Sequence, residues 1–229
     1  MDSNKLNKLS EELLLNVKMR KDTTFLQEEL TKFDSKLLNQ TLVNDDQKKA
    51  FWINIYNAYY QILRLQQNKT KPEIYKEKLF YIGSKKLSLD DVEHGILRKY
   101  RYKYSFGLFP NLFVSKFIKK NAVNYVDYRI HFALNCGAKS CPPIAFYNAS
   151  KINEQLNLAT QSFLEGETEF DDTNKIVITT ALFKWFYIDF NGDKGIKKIF
   201  STQLDKDVSN YKIKYKEYSW EDDLENFVP

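Results

Sequence analysis

Asn44-Asp-Asp-Gln-Lys-Lys-Ala-Phe-Trp-Ile-Asn-Ile-Tyr-Asn-Ala-Tyr-Tyr-Gln-Ile-Leu-Arg-Leu-Gln66 decides the fold. Asn44 is a helix N-cap residue, and Asp45 and Asp46 follow in the first turn, where carboxylates meet the positive end of the helix dipole. From Ala50 onward the helix is apolar nearly all the way round, which predicts a central helix rather than a surface one. One polar stripe interrupts it: Asn54, Asn57, Gln61 and Arg64, at spacings of three, four and three. Two readings are open. The stripe is a narrow solvent-facing edge, or Asn54 and Asn57 face inward and orient a catalytic or ligand-binding group. Trp52 and Tyr56 read as core.

Before this helix, residues 5–20 and 22–39 read as two helices, the second with Phe25, Leu26, Leu30, Phe33, Leu37 and Leu38 at helical spacing. Residues 1–43 are expected to pack as a helical segment on a domain formed by residues 44–229. After it, residues 79–82 and 85–87 suggest a hairpin turning through Gly83-Ser84. Ser88-Leu-Asp-Asp91 fits a capping box and opens a further helix. An aromatic loop follows Arg101, then a helix near 111–120 and an extended segment around 126–135. Ser150 is expected to cap a helix at 151–165. Lys175-Ile-Val-Ile178 reads as a strand, Gly192–Gly195 precede another helix, and Tyr211, Ile213 and Tyr215 alternate with lysines as a strand with one wet face. The fold class is α+β: a helix-rich single domain with a modest, mainly antiparallel sheet.

Composition narrows the function. The chain has 229 residues and a formal net charge of +5, and its lysines are scattered, which reads as solubility and argues against nucleic acid as a partner. With seven glycines in all, a glycine-rich phosphate loop is not expected. No window reaches membrane-spanning length, and the N-terminus lacks an apolar signal region. The expected location is the cytoplasm; a secreted precursor with its leader removed is the alternative.

The chain has two histidines and two cysteines, and three of the four share one run: His131-Phe-Ala-Leu-Asn-Cys136-Gly-Ala-Lys-Ser-Cys141-Pro-Pro143. The fourth, His94, follows Glu93. Imidazole and thiol suit proton transfer, nucleophilic attack and metal ligation near neutral pH. Glu93 lies within the apolar stripe Leu89, Val92, Ile96, Leu97 and Tyr100, and a carboxylate aimed at a core needs a partner. Glu93 either pairs with a basic residue or holds His131 in one tautomer. As a strand, the 130–135 segment puts His131 and Asn135 on one side and Cys136 on the other. Cooperation then requires an immediate turn, which Gly137 permits.

Three mechanisms use these residues. A Cys–His pair with Glu93 or an Asn as orienter would give a thiolate nucleophile. A metal, zinc being the natural choice, would draw on His94, His131, Cys136 and Cys141, although H-x4-C-x4-C departs from the short zinc knuckles. No cofactor is predicted. The third reading joins Cys136 and Cys141 in a disulfide; without C-x-x-C spacing a redox catalyst is not expected.

Phe51-Trp-Ile-Asn-Ile-Tyr-Asn-Ala58, Leu89-Asp-Asp-Val-Glu-His-Gly-Ile-Leu-Arg98 and Ile130-His-Phe-Ala-Leu-Asn-Cys-Gly-Ala-Lys-Ser-Cys-Pro-Pro-Ile144 together resemble the "domain of unknown function 547" family over about residues 45–220. Phe183-Lys-Trp185 with Asp189-Phe190, and Tyr218-Ser-Trp220, fit its C-terminal pattern. The resemblance implies a widespread family, found in bacteria and as the C-terminal part of some plant proteins, and it implies no reaction. Asn54, Asn57, Glu93, His94, Arg98, His131, Cys136, Gly137, Cys141 and Pro142 match its motif positions. The Cys, His and Asn inventory is reminiscent of papain-like and transglutaminase-like thiol enzymes. In those the nucleophile usually opens a long helix, where this chain has Phe51 and Trp52.

The expected function is therefore a thiol-dependent hydrolase or acyl-transferase on a small-molecule or peptide-like substrate. Cys136 is the preferred nucleophile and His131 the base, with Glu93 and Asn54 as orienters. Cys141 and His94 complete the catalytic set, and Asn54, Asn57 and Arg98 are the ligand-binding set. The rival is an interaction module for a protein partner, with a packed Cys/His core beneath an aromatic groove around Tyr100–Phe109.

Overall fold

Three helices lead to the central one in the computed structural model, which describes residues 4–101 and 109–228. They are α1 (Lys5–Lys18), α2 (Thr24–Thr31) and α3 (Ser35–Thr41); α4 follows at Asp45–Leu65. Asn44 and Gln47 close a full capping box at its start. Phe51, Trp52, Ile53, Tyr56, Tyr59 and Tyr60 are all buried, so α4 has no wet face along its middle. The polar stripe is buried too: Asn54, Asn57 and Gln61 have no exposed surface. That rules out the solvent-edge reading for these three. α1 lies along α4, with Leu6, Leu9, Leu13 and Leu14 in the same core.

Residues 22–39 do not form one helix. They break between α2 and α3, where Asp34 turns its carboxylate onto the Leu37 N–H at 2.7 Å, as an N-cap in competition with continued helix. The elbow is used. After α5 (Glu73–Lys76), the hairpin of β1 (Phe80–Ile82) and β2 (Lys85–Leu87) sets its turn against it. The Gly83 N–H donates to Leu30 O at 2.8 Å. Gly83 has φ of +57°, and a Cβ there would fall 2.0 Å from Phe33 O.

The helix opened by Ser88 has its reciprocal capping box, with Ser88 and Asp91 exchanging side-chain-to-backbone bonds at 3.0 Å. From Asp91 to Leu97 it widens to a π-helix. The helix expected near 111–120 starts only at Lys116, where Ser115 caps α6 (Lys116–Asn121). The expected extended segment is also corrected: Tyr128–Phe132 form a 3₁₀ helix. Asp127 causes it, accepting the Arg129 N–H at 3.1 Å, gripping the Arg129 guanidinium at 2.9 and 2.6 Å, and meeting Lys49 at 2.9 Å. Ser150 does not cap α7 (Ile152–Glu167); its hydroxyl is spent on Asn148 Oδ1 at 2.7 Å.

The C-terminal third builds a second core. β3 (Glu169–Asp171) pairs antiparallel with β4 (Ile176–Thr179). The short helix α8 (Leu182–Trp185) and then α9 (Gly192–Leu204) lead to β5 (Lys212–Tyr215), which lies parallel to β4. Gly192 and Gly195 fall inside α9 rather than before it. Phe132, Phe163, Phe183, Phe190 and Phe200 pack here in a ring cluster separate from the core around α4. Ile130 belongs to the first core and Phe132 to the second, so the 3₁₀ turn places His131 on the seam. Of the aromatic groove expected around Tyr100–Phe109, residues 102–108 lie outside the described residues.

Gly83→Ala should destabilise the fold by roughly 2 kcal/mol or more, from positive φ and a clash with backbone. Denaturant unfolding measures this, and a loss under about 0.5 kcal/mol would mean that the elbow and hairpin separate freely.

Candidate functional site

Helices that widen to i→i+5 bonding are uncommon and cluster at functional sites. Here the wide turn carries Glu93, His94 and Arg98, with the Arg98 N–H donating to Glu93 O at 2.8 Å. Arg98 is buried and reaches two ways. Its Nη1 donates to His94 Nδ1 at 2.8 Å, and its Nε to Asp189 Oδ2 at 2.6 Å. Because guanidinium has only donors, His94 Nδ1 must be the lone-pair nitrogen and Nε2 carries the proton. His94 Nε2 lies 3.7 Å from Asp90.

Asp189 is the hub. Its carboxylate accepts from Arg98, from Arg101 at 2.9 Å and from His131 Nε2 at 2.8 Å. Burial alone would raise its pKa, but His131 and Arg98 outweigh that and hold it well below the usual carboxylate range. Burial pushes His131 down, against the pull of Asp189, so its ring is neutral near pH 7. With Nε2–H given to Asp189, Nδ1 is the basic nitrogen. The ring stacks on Phe186 at 3.8 Å. The orienter of His131 is thus Asp189, not Glu93. Glu93 instead accepts from the Tyr56 hydroxyl at 3.3 Å, and its Oε1 lies 3.8 Å from His94 Nδ1. Burial raises the Glu93 carboxyl, with Arg98, His131 and Tyr56 opposing without cancelling it.

Cys136 and Cys141 are joined in a disulfide. Their loop turns at Gly137, φ +65°, where a Cβ would strike the Tyr60 ring at 2.4 Å. Asn135 spans the loop, accepting the Gly137 N–H and donating to Pro142 O, both at 2.8 Å. The Tyr218 hydroxyl lies 3.1 Å from each sulfur. With the sulfurs bonded to each other, the metal set of His94, His131, Cys136 and Cys141 is not assembled. Among the described residues no group of three or more His, Cys, Asp or Glu side chains is placed to hold a metal ion.

One cavity of about 230 Å³ gathers these groups. Glu93, His94, His131, Cys136 and Cys141 all line it, walled by Tyr56, Tyr75, Trp185, Phe186, Tyr218 and Trp220. The expected ligand-binding residues are elsewhere. Asn54 donates to Tyr147 O at 2.8 Å and accepts the Tyr147 N–H at 3.0 Å. Asn57 does the same for Ala133 O and Asn135 N–H, both at 2.9 Å. Both face inward, yet they fix backbone rather than a catalytic group, and Arg98 sits behind His94 and His131.

The profile of one protein family, described as "Protein of unknown function, DUF547", matches residues 40–164. The chain belongs to this family. No curated protein and no solved structure matches the chain. The part of this DUF547 protein beyond residue 164 supplies Asp189, Trp185, Tyr218 and Trp220 to the cavity. Asp189 and Tyr218 were not singled out from the sequence as site residues. Asp189 carries the signal that Glu93 carries, an acid within the apolar run Trp185-Phe-Tyr-Ile-Asp189-Phe190; Tyr218 carries none.

Glu93 also predicts a pH dependence. A carboxyl whose pKa is raised on folding binds its proton more tightly in the folded state. Its stabilisation is present below the ordinary value of about 4.3 and is lost as pH rises through the folded value. Glu93→Gln should therefore gain on the natural protein as pH rises from about 4.3, the gap then levelling off. Thermal unfolding from pH 4 to 8 reads this; a gap constant with pH would mean that Glu93 keeps its ordinary pKa.

Proposed function

We propose that the dithiol form of this DUF547 protein is a thiol-dependent hydrolase or acyl-transferase working in the Glu93–His131–Cys136 cavity. The observation that carries the reading is the Asp189–His131 pair. A buried carboxylate takes Nε2–H at 2.8 Å and leaves Nδ1 as base, in a cavity whose wall holds both sulfurs. This is the tautomer control that a nucleophile–base–orienter site needs.

Of the two cysteines, Cys136 is half-buried and Cys141 buried, so Cys136 is the sulfur a substrate can reach. His131 Nδ1 takes the Cys136 thiol proton as Sγ adds to an acyl carbon. The Tyr218 phenol, held protonated by burial, donates to the carbonyl oxygen. Collapse forms the Cys136 thioester, and the leaving group departs with the proton that the His131 imidazolium carries. Water or an acceptor nucleophile then releases the acyl group. The walls favour an acyl group with a small apolar or aromatic body. In the oxidised form Cys136 has no thiol, and the cavity cannot form the thioester.

Phosphine-reduced protein mixed with p-nitrophenyl acetate should release a burst of nitrophenol equal to one acyl group per chain, and the disulfide form should release none. Cys136→Ala should abolish the burst, and His131→Ala should slow acylation by about 10²–10⁴-fold. Asp189→Asn should slow it while leaving the thioester on Cys136. No acylation of the folded dithiol, or a burst indifferent to Cys136→Ala, would reduce the cavity to a binding site.

A further inference from the structure

The disulfide meets the cavity asymmetrically. Cys141 is 4% exposed whereas Cys136 is half-buried. Two donors converge on the Cys141 sulfur: the backbone N–H of Cys136 at 2.9 Å and the Tyr218 hydroxyl at 3.1 Å. A disulfide sulfur carries no hydrogen, so the phenol is the donor in this contact and in its 3.1 Å contact with Cys136 Sγ. Burial raises the Tyr218 pKa, which keeps that proton in place. Donors aimed at a neutral sulfur gain little. They gain much more if it becomes a thiolate, as the leaving sulfur does in thiol–disulfide exchange.

We propose that the Cys136–Cys141 bond is a reactive disulfide that exchanges with a low-molecular-weight thiol admitted to the cavity, Cys136 being the sulfur attacked and Cys141 the sulfur that leaves. The thiolate of the small thiol forms a bond to Cys136 Sγ as the Cys136–Cys141 bond breaks, and the electron pair goes to Cys141 Sγ beneath its two donors. A second thiolate attacks the small-molecule sulfur of the mixed disulfide and Cys136 leaves. Two small thiols are oxidised to one small-molecule disulfide, and their two protons remain on the protein as the dithiol. The co-substrate is small because the sulfurs lie in the wall of a cavity of about 230 Å³, below the roughly 300–1,000 Å³ of drug-sized ligand sites.

This chemistry starts from the disulfide and involves no acyl group, so it goes beyond the acyl-transfer reading. The oxidised native protein is treated with 2-mercaptoethanol at pH 8, quenched with iodoacetamide and mapped by peptide mass. The expected result is reduction faster than global unfolding, with the mercaptoethanol adduct on Cys136 and the alkyl group on Cys141. Tyr218→Phe should slow reduction by about tenfold or more; a packing role alone would leave the rate unchanged or raise it by loosening the site. Reduction no faster than unfolding, the adduct on Cys141, or no slowing in Tyr218→Phe would each overturn the proposal. The ester burst is read on protein already reduced, so either proposal can fail while the other stands.

Discussion

The buried Asp189 carboxylate is the interaction on which the rest of the site depends. It is the meeting point of three chain segments: the end of the π-helix through Arg98 and Arg101, the 3₁₀ turn through His131, and its own loop after α8. Taking a carboxylate and a guanidinium out of water costs several kcal/mol per ion, and only near-complete hydrogen bonding offsets that. Three donors on one carboxylate supply it. Phe186 covers the assembly, with the Arg98 guanidinium 4.7 Å from its ring centre and His131 stacked at 3.8 Å. The same cluster pins the core around α4 to the phenylalanine-rich core of the C-terminal third. A fold with two cores meeting at one polar knot has little freedom to move His131 independently of Glu93 and His94.

Asparagine does the matching work for the backbone. An amide side chain has a donor and an acceptor on one rigid plane, the complement of a peptide group, so one buried Asn can satisfy the N–H and C=O of an irregular segment. Asn54 does so at Tyr147 and Asn57 at Ala133–Asn135, and Asn135 then spans the disulfide loop. The stripe on α4 is thus a ladder along which the non-repetitive segments are fastened. That explains how the site is made of turns yet is largely buried, which loops ordinarily avoid.

How much of this was legible follows from the range of each interaction. Local signals read well: the Asn44 N-cap, the Gly83-Ser84 hairpin, the Ser88 capping box and the period-two strand at 212–215 are settled within a few residues. The misread elements have distant or competing partners. Residues 22–39 carry an unbroken helical period, yet Asp34 caps and the hairpin turn docks at the break. The alternation at 130–135 imitates a strand, yet Asp127 winds it through Arg129 and Lys49. Glu93 was legible as an anomaly, an acid on an apolar face, but its partner was not. His131 was assigned to it by chemical habit, and Asp189 takes that place from far along the chain. The joining of Cys136 and Cys141 was open in sequence because spacing alone cannot choose between thiols, a metal and a disulfide.

The loop's fastening bears on what the disulfide is for. Joining residues five apart closes a ring so small that chain entropy accounts for only about 2 kcal/mol. The loop is already held without the bond. The Asn135 N–H donates to Asn57 and the Gly137 N–H to Asn135, the Cys141 N–H to Ala138 O at 2.8 Å, the Lys139 N–H to Glu221 O at 2.8 Å, and the Asp223 N–H to Gly137 O at 2.9 Å. A cross-link placed where the backbone is independently secured adds little to the fold, and breaking it leaves both sulfurs near their places. A disulfide needed chiefly as a staple would bridge segments with few other ties. One in a well-tied loop, in the wall of a cavity with two donors on its inner sulfur, is suited to being opened and closed.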